Sequence, residues 1–152
     1  MSPRLIGLIS DTHGLLRPEA VGALVGSDLI IHAGDVGRPE ILDQLRELAP
    51  VVAVRGNVDR GYWATSLPTT AVVDPGIYVL HDVKELAIDP ASAGFRAIVS
   101  GHSHKPSRSE RGGVLYINPG AAGPRRFRLP ITIARLHVPT WDVEFVELGG
   151  GK

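Results

Sequence analysis

Seven side chains able to offer oxygen or imidazole nitrogen to a cation recur at one kind of place in this sequence. They are Asp11 and His13 in Asp11-Thr12-His13-Gly14, Asp35 after Gly34, and Asn57 in Gly56-Asn57-Val58-Asp59. His81, and then His102 and His104 in Gly101-His102-Ser103-His104, complete the set. Each cluster directly follows a short apolar run. A lone loop histidine is ordinarily a solvated one, and Asp-x-His occurs by chance, but seven donors at the ends of five apolar runs are a joint signal. Four of the six histidines belong to it; His32 and His137 sit inside apolar runs and read as core or rim residues. Carboxylate and imidazole donors without thiolate suit Mn, Fe, Zn, Ni or Co better than Mg or Ca. One ion takes roughly four to six ligands, so seven donors plus water suit two ions sharing a bridge. A carboxylate can bridge where a histidine cannot, which leaves Asp11 or Asp35. Two ions about 3.5–4 Å apart can deprotonate a shared water and clamp both oxygens of an in-line phosphoryl transfer.

Such a set needs a scaffold that gathers strand ends. Arg4–Ser10 (RLIGLIS), Asp28–His32 (DLIIH) and Val51–Val54 (VVAV) read as buried strands, with helices predicted at Pro18–Val25 and Pro39–Leu48 between them. Ile41, Leu42, Leu45 and Leu48 share one face of the second helix, and Pro18 suits a first helical turn. This βαβαβ alternation predicts a parallel sheet, whose single hand of crossover puts the three strand ends on one edge. Beyond it, Tyr62–Val73 reads as loop then strand, Ile77–Leu80, Ala97–Ser100 and Val114–Ile117 as strands, and Pro90–Gly94 as a helical turn. Ile131–Val138 and Trp141–Glu147 read as a closing hairpin across Pro139-Thr140. Short strands dominate here, so a second, partly antiparallel sheet is expected. Gly14, Gly34, Gly56 and Gly101 beside the donors permit tight turns and close backbone approach.

The 152 residues read as one domain, with a Gly-rich tail at 149–152 expected to fray. Sixteen Lys and Arg balance sixteen Asp and Glu, so no bulk field attracts nucleic acid or an anionic membrane. Cysteine is absent, which removes disulfides and thiol nucleophiles and makes a reducing cytoplasm the expected home. No charged-then-apolar leader is visible, and no apolar run approaches the roughly 20 residues that cross a bilayer.

The order Asp11-x-His13, Gly34-Asp35, Gly56-Asn57-x-Asp59, His81, Gly101-His102-x-His104 resembles the calcineurin-like metallophosphoesterases over residues 5 to about 120. The short length and the Asn118-Pro119-Gly120 turn point to the small bacterial and archaeal phosphodiesterase branch. The resemblance implies an α/β fold, a four-layer α-β-β-α sandwich of two mixed sheets flanked by helices. It implies one metal on Asp11, His13, Asp35 and His104 and another on Asp35, Asn57, His81 and His102, with Asp35 as the bridge. The implied activity is hydrolysis of a small phosphodiester by a metal-bridging hydroxide, with Asp35, Asn57 and His102 as catalytic residues. Two divalent ions are expected, Mn first and Fe, Ni, Zn or Co as alternatives. Self-association is implied on the same ground, and the expected partner is a small phosphorylated substrate.

Three positions depart from the family pattern. Val58 stands where many relatives carry a histidine linked to leaving-group stabilisation, so no general acid is assigned and a leaving group of low pKa should suit the site best. His81-Asp82 replaces a frequent His-Gly-His, and Ala121 replaces a frequent serine after the turn. Asp59 is expected to hold its loop or orient a ligand, and Arg55 to meet a phosphate oxygen or a structural partner. Lys105, Arg108, Arg111, Arg125, Arg126 and Arg128 form a basic stretch, read as a solvated face or as a rim that attracts anionic substrate. The rival function is a phosphoesterase-fold scaffold that binds protein partners, like the family member in the retromer coat, whose ligand set is eroded; here all seven positions are filled. A nuclease is the third reading, disfavoured by neutral charge and few aromatics.

Overall fold

The computed structural model describes residues 3–149; the end of the Gly-rich tail, residues 150–152, lies outside them. Three parallel strands, β1 (Arg4–Ile9), β2 (Leu29–His32) and β3 (Val51–Ala53), alternate with helices α1 (Pro18–Leu24) and α2 (Pro39–Arg46). Both helices begin with proline, which loses no intrahelical hydrogen bond at that position. These strands read as continuous apolar runs because both faces are covered. Ile6, Leu8, Leu29 and Ile31 face a core between two sheets, while Ile9 and Ile30 face the helices, where they meet Leu24, Ile41 and Leu45. Gly7 lets α1 approach: a Cβ there would lie 2.6 Å from Leu24 Cδ2.

The hairpin of β9 (Thr132–Val138) and β10 (Asp142–Glu147) joins this first sheet, with β9 antiparallel to β1, giving the order β10-β9-β1-β2-β3. The local pattern predicts the hairpin but not its edge. That edge is decided by Ala134, Leu136 and Val138, which fill the core between the sheets beside Ile6 and Leu8.

The second sheet has the order β4-β5-β6-β8-β7, from β4 (Thr70–Val73), β5 (Ile77–Leu80), β6 (Ala97–Val99), β7 (Ser107–Arg111) and β8 (Val114–Asn118). β5, β6 and β8 are parallel, with β4 and β7 antiparallel at the edges. Two mixed five-stranded sheets thus enclose one core, as the expected α/β sandwich requires. Its helical layers are unequal. Both α-helices cover the first sheet, whereas Leu80, Ile98 and Val114 on the outside of the second pack with Tyr78 and Tyr116 of the same sheet and with Val83 and Leu86 around a 3₁₀ turn at Val83–Glu85. β7 has no counterpart in the sequence reading, because Ser-Arg-Ser-Glu-Arg carries no apolar residue from which a period of two could be seen. Among the described residues, no helix is long and apolar enough to cross a membrane.

Candidate metal centre

Parallel order does bring the strand ends together. Asp11 and His13 follow β1, Asp35 follows β2, and Asn57 follows β3; His81 follows β5, and His102 and His104 follow β6. The first two loops are zipped by backbone bonds: Asp11 N–H to Gly34 O (3.0 Å), His13 N–H to Asp35 O (2.9 Å) and Gly14 N–H to Val36 O (2.8 Å). Within the second sheet, Gly101 N–H donates to His81 O (2.9 Å). The two sheets are tied by His102 N–H, which donates to the Asp11 carboxylate at Oδ2 (3.1 Å).

Donor atoms converge in two groups, Asp11-His13-His104 and Asp35-His81-His102, the atoms within each lying within 4.8 Å of one another. Asp11 Oδ1 is 3.6 Å from His13 Nε2 and 3.3 Å from His104 Nε2. Asp35 Oδ2 is 3.1 Å from His81 Nε2 and 3.6 Å from His13 Nε2, so this oxygen lies between the groups. Each carboxylate has one oxygen locked and one left facing inward. Ser10 Oγ–H (2.6 Å) and His102 N–H hold Asp11 Oδ2, and Val58 N–H (3.0 Å) holds Asp35 Oδ1.

The histidine orientation follows from chemistry. His81 Nδ1 lies 2.8 Å from the Ala33 carbonyl, which can only accept, so Nδ1 carries the proton and Nε2 faces the centre. There Nε2 faces Asp35 Oδ2 at 3.1 Å, a pair that a proton on the ring or a metal cation between the two atoms satisfies. Asp11 Oδ1 and His81 Nε2 are buried without a hydrogen-bond partner, as is His104 Nδ1. Orphaned buried atoms are costly in a folded protein, and a divalent ion at the convergence satisfies the first two. The residues therefore fit a metal.

The charges agree. Burial pushes the Asp11 carboxyl up, but the close His104 and His13 rings, the Ser10 hydroxyl and the nearby His81 hold it well below the usual carboxylate range. Asp35 is raised by burial and lowered more by His81 and the Val58 N–H, ending below its ordinary value. For His81, burial favours the neutral ring, yet the Asp35 carboxylate and the Ala33 carbonyl raise it. Both carboxylates are thus anionic at neutral pH.

Backbone strain gathers at the same residues. Of seven described non-glycine residues with left-handed φ, five are Asp11 (55°), His13 (46°), Asp35 (57°), His102 (71°) and His104 (64°). Each such conformation costs on the order of 1 kcal/mol or more and persists where surrounding contacts over-determine it. A Cβ on Gly56 would collide with the backbone N and carboxylate of Asp35, and one on Gly101 with Ser10 Oγ.

Asn57 is exposed and lines a cavity of about 370 Å³ with Arg55, His81 and Glu85. Asp59 braces the loops around it. It is 5% exposed and accepts from the backbone N–H of Gly56 (2.8 Å), Gly37 (2.9 Å) and Val36 (3.2 Å), joining the Asn57 loop to the Asp35 loop. Asp82 caps the 3₁₀ turn through Oδ1 to Lys84 N–H (3.0 Å) and puts Oδ2 3.8 Å from His102 Nε2. The basic stretch is dispersed: Arg108 and Arg111 lie on β7, and Arg125, Arg126 and Arg128 in the loop before β9.

Three supports escaped the sequence reading. His32 is fully buried, accepts from Gly34 N–H at Nδ1 (3.1 Å) and meets Thr12 Oγ1 at Nε2 (3.0 Å), while Thr12 donates to Val36 O. Burial lowers its pKa to about 4, which keeps this neutral pattern. Asn118 donates to Gly101 O (2.9 Å) and Ser103 Oγ (3.0 Å) and accepts from Gly120 N–H, bracing the loop of His102 and His104. The Asn-Pro-Gly turn signal marked this place without its purpose; for Ser10 and His32 no local signal exists.

Residues 5–140 match the calcineurin-like phosphoesterase superfamily domain. The chain belongs to this superfamily. It is 33% identical over 160 residues, covering 95% of this chain and 93% of the relative, to a probable metallophosphoesterase of Methanothermobacter thermautotrophicus. An archaeal phosphodiesterase superposes with TM-score 0.79 at 24% identity, covering 95% of this chain and 99% of that one. Vps29 of Entamoeba histolytica, solved with zinc, superposes with TM-score 0.68 at 23% identity, covering 95% and 98%. At such identity these two establish the shared fold.

Proposed function

We propose that this member is a dinuclear-metal-dependent phosphodiesterase acting on a small phosphodiester. The observation that carries the reading is the convergence of two donor groups, Asp11-His13-His104 and Asp35-His81-His102, with buried polar atoms there that lack protein partners. In this reading Asp11, His13 and His104 would hold one ion and Asn57, His81 and His102 the other, with Asp35, whose Oδ2 lies between the groups, shared by both. Divalent ions bound there supply Lewis-acid activation of water and neutralise charge on phosphoryl oxygens, with Mn preferred and Fe, Ni, Zn or Co alternatives.

The protein's own work is positioning. Backbone N–H groups and Ser10 aim the carboxylates, the Ala33 carbonyl sets the His81 tautomer, and Asp59 keeps the Asn57 loop against the Asp35 loop. The exposed Val58 side chain has no proton to give a leaving group. A leaving group that departs as a stable anion therefore suits the site. A cytoplasmic home and self-association complete the reading, the first from the lack of cysteine and the second from the family alone.

A partner-binding scaffold is the second reading, favoured by the Vps29 likeness. Because a Vps29 was solved with zinc, metal content by itself does not separate the two; turnover does. Chelated protein refilled with Mn²⁺ is expected to hydrolyse bis(p-nitrophenyl) phosphate, and Asp35→Ala to lose both ions and the activity. Metal-filled protein without turnover, or full turnover in Asp35→Ala, would overturn the proposal.

A further inference from the structure

β7 is an unusual strand. All five of its residues are exposed and polar, so burial of apolar surface does not account for it. Alternation sorts them into two faces. Arg108 and Glu110 on one face pair with each other at 3.7 Å. Ser107, Ser109 and Arg111 on the other line a cavity of about 340 Å³ that reaches His102 and is also bordered by Lys84 and Tyr116.

This cavity exists because the second sheet lacks an α-helical cover. Tyr116 stands opposite Ser109 in the β7–β8 register, and the Arg111 guanidinium lies 4.6 Å from its ring centroid, which fixes the charge on the wall. Lys84 enters from the 3₁₀ turn, anchored because its backbone N–H is held by Asp82. Among the described residues lining this cavity the carboxylate is Asp82, turned to that cap and to His102, and neither Lys84 nor Arg111 forms an ion pair with it. The cavity of Asn57 and Arg55 is lined by His81, whose ring centroid lies 5.2 Å from that of His102, which lines this one. An ester centred between them has a separate place for each of its two arms.

We infer that Ser107, Ser109, Arg111 and Lys84 form a subsite for an ester arm that bears hydroxyls and its own negative charge, as a nucleotide or sugar phosphate does. Cavities of this size hold small ligands, and Arg and Lys supply the charge-assisted bonds a phosphate takes. The inference rests on the phosphodiesterase reading and names its substrate class.

Two chromogenic esters test it: thymidine 5′-(p-nitrophenyl phosphate), and the same compound with a 3′-phosphate. The scissile bond and leaving group are identical, so the ratio of their kcat/KM values isolates the distal charge. At low salt the Mn²⁺-loaded protein should favour the 3′-phosphorylated ester, and the double variant Lys84→Gln/Arg111→Gln should reduce that preference by about tenfold. A ratio near one, or one unchanged in the variant, overturns the subsite. If neither ester is cleaved, it is the phosphodiesterase reading that fails. Calorimetric titration of thymidine 3′,5′-bisphosphate into the Mn²⁺-loaded protein then still decides: affinity about tenfold weaker in the variant supports the subsite, and equal affinity refutes it.

Discussion

Replacing Asp59 by asparagine changes one atom of a buried clamp that joins two loops of the centre. Oδ2 accepts from Gly56 and Val36, and Oδ1 from Gly37. An asparagine keeps one acceptor. With its oxygen in the Oδ2 place, its amide nitrogen faces the Gly37 N–H, leaving that donor unpaired at a cost of about 1–3 kcal/mol. The two remaining bonds lose charge assistance, roughly 0.5 kcal/mol or more each. The sum is about 3 kcal/mol, a large share of the ~5–15 kcal/mol that holds a domain together. Urea unfolding of metal-free protein at neutral pH should show the midpoint falling by about 1–2 M with an unchanged slope. Because Asp35 and Asn57 ride on the clamped loops, Mn²⁺ affinity measured by calorimetry should fall about tenfold or more. A variant within about 0.5 kcal/mol of the parent and with intact Mn²⁺ affinity would refute the reasoning.

Gly56→Ala should strike the centre from the other side of the same loop. Its Cβ would overlap Asp35, so Mn²⁺ binding is expected to drop more than tenfold, and near-parental calorimetry would show the loops to be more yielding than argued. Acid should destabilise the metal-free protein in two stages. The unfolded chain protonates His32 near 6.5 and the folded protein near 4, so unfolding takes up a proton and stability falls as pH drops through that window, by up to about 3 kcal/mol. Asp11 and Asp35, depressed when folded, contribute stability above about 3.8 that is lost below it. His81, raised when folded, acts oppositely: its contribution is complete below 6.5 and disappears as pH climbs through its folded value. Unfolding curves of His32→Gln should be flatter between pH 6.5 and 4; an unaltered slope assigns the acid sensitivity elsewhere.

Much of the centre was legible because its cause is local. Strands β1, β2, β3, β5 and β6 announce themselves by apolar runs, and each ends in donors that the chain places next in order, from Asp11 to His104. Right-handed crossovers then bring the ends together within each sheet, and the family match at residues 5–140 agrees. The position of Asp59 suggests either a loop holder or a ligand orienter, and its three backbone hydrogen bonds brace the loop.

What remained hidden depends on partners distant in sequence. The β9–β10 hairpin could be seen, but its place beside β1 is set by packing across the core. β7 left no periodic trace because both of its faces are polar, although one of them lines the cavity beside His102. His32 looked like an ordinary core histidine. Only its approach to Thr12 and Gly34 makes it a brace for the first two loops. Donor identity was thus determined along the chain, one strand end at a time. Which carboxylate oxygen faces inward, which imidazole nitrogen is bare, and which cavity flanks them were decided by hydrogen bonds between loops about 20 to 90 residues apart, which no local pattern encodes.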